Sequence, residues 1–315
     1  EMLDSKKFEY TLDEFTKHTN SFLEERGYAT QTDEEINEII ENSGLLYKNE
    51  GNIIGFKQQA FIEFLASLEI FNNKRETYYP KLVSNFNDIN WQNTAIFYAG
   101  HAKELVNMID DVIEKSPNDT LQDWFINSGG MGYLAQALYQ TSPKERMKLV
   151  LKSLDNLNKS FYRLKENSEH EEGNMFYKIP LPLLTTIINF WFNENFKSIT
   201  LTKTLNETFN ELLDNAENNF ETNLKLLMIS TTLMNPYIND ESSFLKLLER
   251  KEFINHPILP LVADMTMEMG KINKHNISPE IKNDIKKSIQ KKKEYIKAIF
   301  NEPAYRFKDD FTLDE

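Results

Sequence analysis

Histidines and neighbouring carboxylates are the side chains of this chain that could perform acid–base or metal chemistry. A helical zinc site needs two histidines four residues apart on one face. The five histidines are instead scattered, at His18, His101, His170, His256 and His275. Asp110–Asp111 and Glu171–Glu172 pair carboxylates only in sequence, because adjacent helix positions face different directions. We therefore predict no catalytic residue, no metal ligand and no enzyme activity in this chain.

A phosphate-binding loop is the feature that nucleotide chemistry would require. The pattern G-x-x-x-x-G-K-[ST] occurs nowhere in the sequence. The glycine-rich run Ser128–Gly132 follows no predicted strand and precedes no lysine, so it predicts a flexible turn between two helices. The chain also lacks cysteine, which excludes disulfides and thiolate zinc sites and fits a reducing compartment. We expect no cofactor in this chain.

Composition limits the partners that the chain can bind. The 315 residues are 40% apolar and 12% aromatic, and they carry a formal net charge of −13. So acidic a chain repels phosphate backbones, and we expect no DNA partner. No stretch of about 18 apolar residues occurs, so we expect a cytoplasmic protein without a membrane segment.

Two sets of side chains could recognise a protein or peptide. Phe190, Trp191 and Phe192 follow one another in a predicted core helix, and aromatic residues dominate interface hot spots. Lys286 and Lys293 belong to a lysine cluster on the final predicted helix, whose other side carries an isoleucine stripe. This pattern is typical of a solvated face opposite a buried stripe, and the alternative is a patch for an anionic partner.

The elements that must position these side chains begin with two short helices. Thr11 is a suitable N-cap for a helix that Gly27 ends, and Thr32 with Glu35 forms a capping box at the next helix. That second helix should turn Ile39 toward the core. It reads TDEEINEIIEN, with five acidic residues and no basic one, so it is poorly suited to a DNA groove.

A β-hairpin and an apolar helix follow. Leu45–Tyr47 and Ile53–Phe56 predict short strands around a turn at residues 49–52. The next helix has an apolar face that we expect to be buried, formed by Phe61, Phe64, Leu65, Leu68 and Phe71. Two helices, a hairpin and a helix in this order are typical of a winged-helix module, which we assign to residues 1–73.

The rest of the chain predicts helices joined by short links. The charged, unpatterned segment 166–174 predicts a boundary between helical repeat regions 74–165 and 175–315. Helices at this density are typical of an α-solenoid of HEAT or TPR character. No repeat can be aligned, so a compact helical bundle is the alternative. The predicted fold is mainly α, with a winged-helix-like module followed by a helical array.

The junction between hairpin and apolar helix resembles a known family. From Phe56 the sequence reads F-x-x-x-x-F-x-E-F-L-A-S, with Phe61, Glu63 and Phe64 as its aromatic and acidic positions. After the run G-L-L and a hairpin, this pattern resembles the end of the winged-helix region in NACHT-type STAND NTPases, the bacterial NLR-like proteins. The tryptophan-containing helix of residues 90–100 extends the likeness, which covers roughly residues 10–101.

The resemblance implies a hinge between an NTPase core and a helical sensor, formed by Phe56, Phe61, Glu63 and Phe64. That family usually has a nucleotide-sensing histidine two positions after the strand aromatic, where this chain has Gln58. Glutamine can donate a hydrogen bond but cannot become a cation. ATP or ADP with Mg²⁺ is expected only in an upstream NTPase domain, and oligomerisation only through domains outside this chain.

The sequence therefore predicts the non-catalytic, ligand-sensing region of a NACHT-like STAND NTPase, which binds a protein ligand through its helical array. Such regions in that family often recognise foreign or damaged components, so antiphage defence or signalling is the expected setting. The first alternative is a free-standing helical repeat scaffold that binds a protein or peptide. The second is an enzyme with a pocket in the helical layer.

Overall fold

The computed structural model describes residues 2–167, 178–215, 217, 219–269, 278–308 and 311. Its contacts divide the chain into two compact units, unit 1 (Glu1–His101) and unit 2 (Ala102–Glu315). The described residues form mainly α-helices, with one small antiparallel sheet in unit 1. The predicted mainly helical class is confirmed.

Unit 1 contains six helices and three strands among its described residues. In chain order they are α1 (Met2–Ser5), β1 (Glu9–Thr11), α2 (Leu12–Glu25), α3 (Asp33–Asn42), β2 (Leu46–Lys48), β3 (Ile53–Phe56), α4 (Gln59–Asn72), α5 (Arg75–Ser84) and α6 (Ile89–Ala102). Helix α6 therefore ends one residue beyond the division between the units.

Two capping boxes start the helices α2 and α3, as the sequence predicts. The Glu14 backbone N–H donates to Thr11 Oγ1 (3.3 Å), and the Thr11 N–H donates to the Glu14 carboxylate (3.1 Å). Thr32 and Glu35 make the same reciprocal pair at α3. Gly27 follows α2 with a φ of +72°, a conformation that favours glycine. The two helix starts and the first helix stop are thus confirmed.

The sheet is antiparallel, with the strand order β1-β3-β2. The hairpin β2–β3 is confirmed within one residue of its predicted position. Strand β1 is too short for its pattern to be recognised in the sequence, and it pairs with β3. Tyr47 crosses β3 at Gly55, where a Cβ would lie 2.8 Å from Tyr47 Oη. The Tyr47 hydroxyl donates to the Glu9 carboxylate, so one side chain connects all three strands.

The core of this part of unit 1 lies between α3 and the sheet. It consists of Ile36, Ile40, Leu46 and Ile54, with Leu12, Phe15 and Phe56 packed against it. Ile39 was expected to face inward, but its side chain is exposed. Ile36 and Ile40 lie four residues apart on one face of α3, and Ile39 falls beside that face.

Helix α4 buries a face that the sequence pattern did not select. The expected apolar face is wrong, because Phe64, Leu65 and Phe71 are each 39% exposed. The buried residues, about half a turn around the helix, are Ile62, Glu63, Ser67 and Ile70. Apolar residues occur all round this helix, so hydrophobic periodicity alone cannot choose between its faces.

Unit 2 contains eleven helices and two 3-10 turns among its described residues. The helices are α7 (Val106–Lys115), α8 (Leu121–Ala137), α9 (Pro143–Asn167), α10 (Leu181–Phe196), α11 (Thr202–Asp214), α12 (Phe220–Leu233), α13 (Ser242–Glu249), α14 (Lys251–Ile254), α15 (Leu259–Met269), α16 (Pro279–Lys291) and α17 (Lys293–Asn301). The 3-10 turns are Ile199–Leu201 and Ala304–Arg306.

The glycine-rich run in α8 is helical, and the predicted flexible turn is wrong. Residues Ser128–Gly132 are buried in the middle of a continuous helix. Ser128 Oγ lies 2.7 Å from Ser153 Oγ of α9. A Cβ on Gly132 would overlap the Asn195 carbonyl oxygen of α10. The small residues therefore allow α9 and α10 to approach α8 closely. In sequence, glycines at such a helix contact look the same as glycines that end a helix.

The predicted final helix is divided into α16 and α17 at Lys292. The Lys292 ammonium donates to the backbone oxygens of Ile254 (3.1 Å) and His256 (2.6 Å) and to Ser288 Oγ (3.3 Å). These bonds hold the break against the end of α14. The isoleucine stripe is only partly buried, since Ile289 is half-buried.

The last 3-10 turn of unit 2 packs against helices from the middle of the unit. The turn Ala304–Arg306 contacts α9 and α10. The Ala304 N–H donates to the Ile179 oxygen (2.8 Å), and Pro180 and Pro303 form an isolated β-bridge. Helix α10 itself contacts α8, α9, α12, α15 and α17.

The units differ from the predicted division after residue 73. Helix α5 packs on α4, and α6 shares an aromatic cluster with α4. Residues 74–101 therefore group with unit 1. Most of the predicted boundary segment 166–174 lies outside the described residues. The helices on either side of it, α9 and α10, contact each other within unit 2.

Candidate functional site

The candidate functional site in unit 1 is the junction at which β3 passes into α4. Phe56 ends β3 and packs half-buried against the sheet core. Gln58 occupies the N-cap position of α4 with an extended backbone, and its exposed side chain makes no capping hydrogen bond. Gln58 is thus accessible at the start of α4.

Glu63 is a buried carboxylate near the start of α4. Only 4% of the residue is exposed, so its carboxylate is not a solvated surface group. Gln59 Nε2 donates to Glu63 Oε1 (3.0 Å), and the same amide contacts Asn90 Oδ1 of α6. Because a buried carboxylate is costly without hydrogen bonds, this network fixes the first turns of α4 against α6.

An aromatic seam joins α4 to α6. The Phe64 ring meets the rings of Phe97 and His101 edge-on, at centroid distances of 5.7 and 5.3 Å. Phe71 meets Tyr98 at 5.7 Å. Phe61 is half-buried at the N-terminal side of the same helix. Two of the residues assigned to the hinge, Phe61 and Phe64, are therefore partly exposed on α4. Phe64 packs against α6.

A serine–histidine contact lies within this seam. Ser67 Oγ is 3.0 Å from His101 Nε2, and it also donates to the Phe64 backbone oxygen (2.6 Å). Nucleophile–base pairs have such spacing, but Ser67 is fully buried. Burial lowers the pKa of His101, which favours the neutral imidazole. The contact connects α4 to α6 and offers a substrate no access to the hydroxyl.

A groove of about 720 Å³ in unit 1 contains residues that the sequence did not reveal. Arg26 Nη2 lies 2.7 Å from Glu69 Oε1, and its guanidinium lies 3.7 Å above the Phe22 ring. Tyr78 and Trp91 also line the groove. Its mixture of aromatic surface and both charge signs suits a peptide segment. In the sequence, the one signal for this groove was Arg26, a lone arginine at the end of the acidic helix α2.

The aromatic run of α10 is divided between core and surface. Phe192 is fully buried and stacks on Phe196 at 4.4 Å. Trp191 is 40% exposed and meets Phe125 edge-on at 5.4 Å. Phe190 is half-buried. Phe190, Trp191 and Phe192 therefore do not line one groove together, since successive helix positions point in different directions.

The two lysines singled out from the final helix do come together. Lys286 and Lys293 line a groove of about 440 Å³ with Ile289 and Ile296. Both lysines are exposed, and both isoleucines are half-buried. The groove thus combines cationic and apolar surface, an arrangement able to hold an anionic group attached to an apolar body.

His256 has a structural role in unit 2. The backbone N–H groups of Ile258 and Leu259 donate to its Nδ1 (3.2 and 3.3 Å), so the ring caps the start of α15. Burial, with the positive charge of Lys292, lowers the pKa of His256 to about 3. His170 and His275 lie outside the described residues. Within the described part of the chain, no group of three or more potential ligand residues could hold a metal ion.

Comparison with known proteins adds no relative: no protein-family model, curated protein or solved structure matches the chain. Across the described ranges, no helix has both the length and the apolar character needed to cross a bilayer.

Proposed function

We propose that this chain is a ligand-sensing, non-catalytic region of a NACHT-like STAND NTPase. Unit 2 binds a protein ligand, and the β3–α4 junction transmits binding to an NTPase domain. The observation that carries the proposal is the order of unit 1, α1–β1–α2–α3–β2–β3, with the sheet order β1-β3-β2. This order is typical of winged-helix modules and supports that assignment, and it leads directly into α4, the helix with the resembling motif.

The properties of α3 support a protein-binding role for this module. Its exposed side carries acidic residues around the exposed Ile39. A phosphate backbone would be repelled by this surface, whereas a protein surface could cover the isoleucine.

The buried Glu63 supports the hinge assignment. A carboxylate held by Gln59, beside α6, makes the N-terminal turn of α4 a rigid connection rather than a loose linker. The exposed Gln58 lies at the beginning of that connection. Ligand binding to unit 2 would act by favouring one of two packings of this module against the NTPase domain.

The test is the full reading frame, followed by nucleotide-release measurements on the full-length protein. The proposal expects a G-x-x-x-x-G-K-[ST] loop upstream of Glu1. Gln58→His, which restores the residue usual in the family, is expected to slow ADP release. Lys57→His, at the neighbouring exposed position, is the matched control and should have no effect. A reading frame that starts at Met2 would overturn the proposal.

A free-standing helical scaffold is the second candidate. It is supported by the contacts of Ala304–Arg306 with α9 and α10, because a unit that completes its own core can fold and bind a partner by itself. Such a scaffold would bind its partner with unit 2 alone. A chain truncated after residue 165 should bind the ligand more weakly than the whole chain. Unchanged binding would contradict, in both candidates, a role of the C-terminal half in ligand binding.

A further inference from the structure

The lysine groove of unit 2, defined by Lys286, Ile289, Lys293, Ile296 and Lys297, combines cationic and apolar side chains in one lining. It lies along α16 and α17, with Asp264 of α15 also in its lining. Lys286 and Ile289 lie three residues apart on α16, and Ile296 and Lys297 lie three and four residues after Lys293 on α17, so each helix contributes one face to the groove on either side of the break at Lys292.

The charges of the groove are available to a partner. The side chains of Lys286 and Lys293 make no hydrogen bond or ion pair within the described residues, whereas Lys297 Nζ lies 3.2 Å from Glu294 Oε1. Asp264 is the one acidic residue in the lining. A chain with a net charge of −13 therefore carries a local positive surface here, and its complement is a negative one.

The apolar part of the groove distinguishes between anionic partners. Ile289 and Ile296 are half-buried between exposed lysines. A free phosphate or a nucleic-acid backbone would leave this apolar surface uncovered. A bilayer is flat and would reach the exposed lysines before the recessed isoleucines. An amphipathic helix can insert apolar side chains and present carboxylates to both sides.

We propose that this groove binds an acidic amphipathic helix of a protein partner. Leucine or isoleucine side chains of that helix would contact Ile289 and Ile296, and its glutamates or aspartates would pair with Lys286 and Lys293. The proposal rests on the proposed function of unit 2 as the ligand-binding part, and it names the chemistry of the ligand.

The experiment uses a fluorescently labelled synthetic peptide of about four helical turns, with leucines on one face and glutamates beside them. Fluorescence anisotropy measures its binding to the whole chain. The double variant Lys286→Glu/Lys293→Glu is expected to weaken binding about tenfold or more, because it replaces attraction with repulsion. The double variant Lys144→Glu/Lys251→Glu changes two exposed lysines outside the groove by the same charge, and it should bind within about twofold of the parent. Circular dichroism checks that both variants fold.

A second peptide, with lysine in place of every glutamate, reverses the test. It should bind the Lys286→Glu/Lys293→Glu variant and not the parent chain. Equal weakening by both double variants would overturn the proposal, because it would show a general charge effect. The proposal would also be overturned if the parent chain bound vesicles containing phosphatidylserine more strongly than it bound the peptide, and if Lys286→Glu/Lys293→Glu abolished that vesicle binding. The proposed function is decided by the upstream reading frame, so a negative peptide result overturns the groove assignment alone.

Discussion

Gly132 shows how one missing side chain determines a helix contact. The Asn195 carbonyl oxygen of α10 accepts from Gln136 Nε2 (3.2 Å) directly beside Gly132 on α8. A methyl group at Gly132 would occupy the space of that oxygen and approach the Phe196 ring at 3.2 Å. The backbone atoms of Asn195 cannot rotate away as a flexible side chain could, so the two helices would have to separate.

Gly132→Ala is therefore expected to destabilise unit 2 by about 1–3 kcal/mol. Gly100→Ala is the matched control, since Gly100 is also helical and a Cβ there meets nothing within 4 Å. The control should be neutral or gain up to about 1 kcal/mol from helix propensity. Urea unfolding of both variants measures the difference, and equal stabilities would contradict the close contact.

His256 makes the stability of unit 2 dependent on pH. Its folded pKa of about 3 lies below the ordinary value of 6.5, so the unfolded state binds the extra proton between these values. The contribution of neutral His256 to the stability of unit 2 is fully present above pH 6.5 and is lost as the pH falls toward 3, on the order of 5 kcal/mol in all. His256→Asn keeps a capping acceptor for α15 but cannot be protonated. We expect a shallower loss of unit 2 protection between pH 7 and 4, measured by hydrogen exchange, and an unchanged slope would contradict the assignment.

At the scale of elements, α4 has one buried face of mixed polarity and one aromatic face. One face is buried in unit 1, and the other forms the aromatic seam with α6 and remains partly exposed. A helix of this kind can be held rigidly by one face while the other contacts a further domain. This is the arrangement that the hinge proposal requires of the β3–α4 junction.

The two faces can be distinguished by one substitution on each. Ile70→Ala, at a residue 4% exposed, is expected to cost about 3 kcal/mol through lost burial and a cavity. Leu65→Ala, at a residue 39% exposed, should cost below about 1 kcal/mol. Thermal unfolding compares them, and a larger loss for Leu65→Ala would restore the face expected from the sequence.

At the scale of the whole molecule, each unit has its own core. In unit 2 the C-terminal segment completes that core, since Ala304 and Phe307 are buried and Tyr295 Oη donates to the Phe311 oxygen (2.6 Å). Residues far apart in the chain, such as Ile179 and Ala304, are thereby joined. Such long-range closure makes the stability of α9 and α10 depend on the last described residues.

Phe307→Ala is expected to lower the stability of unit 2 by about 3–5 kcal/mol. Hydrogen exchange should then become faster in α9 and α10 and remain unchanged in α2 and α3. Phe300→Ala, at a residue 39% exposed, is the matched control and should leave both regions nearly unaffected. Uniformly faster exchange in both units would contradict their independence.

The amino-acid sequence by itself determined the helical class, most helix positions and the hairpin. Those features depend on local signals, such as the capping boxes at Thr11 and Thr32, which act within a few residues. Its charge pattern also selected Lys286 and Lys293, which line one groove, while their role in binding a partner stays a prediction. Only the tertiary structure decided the rest. It selected the buried face of α4 and the burial of Glu63, placed Gly132 inside a helix, and broke the final helix at Lys292. Each of these depends on which distant backbone or side chain lies opposite, and no local pattern contains that information.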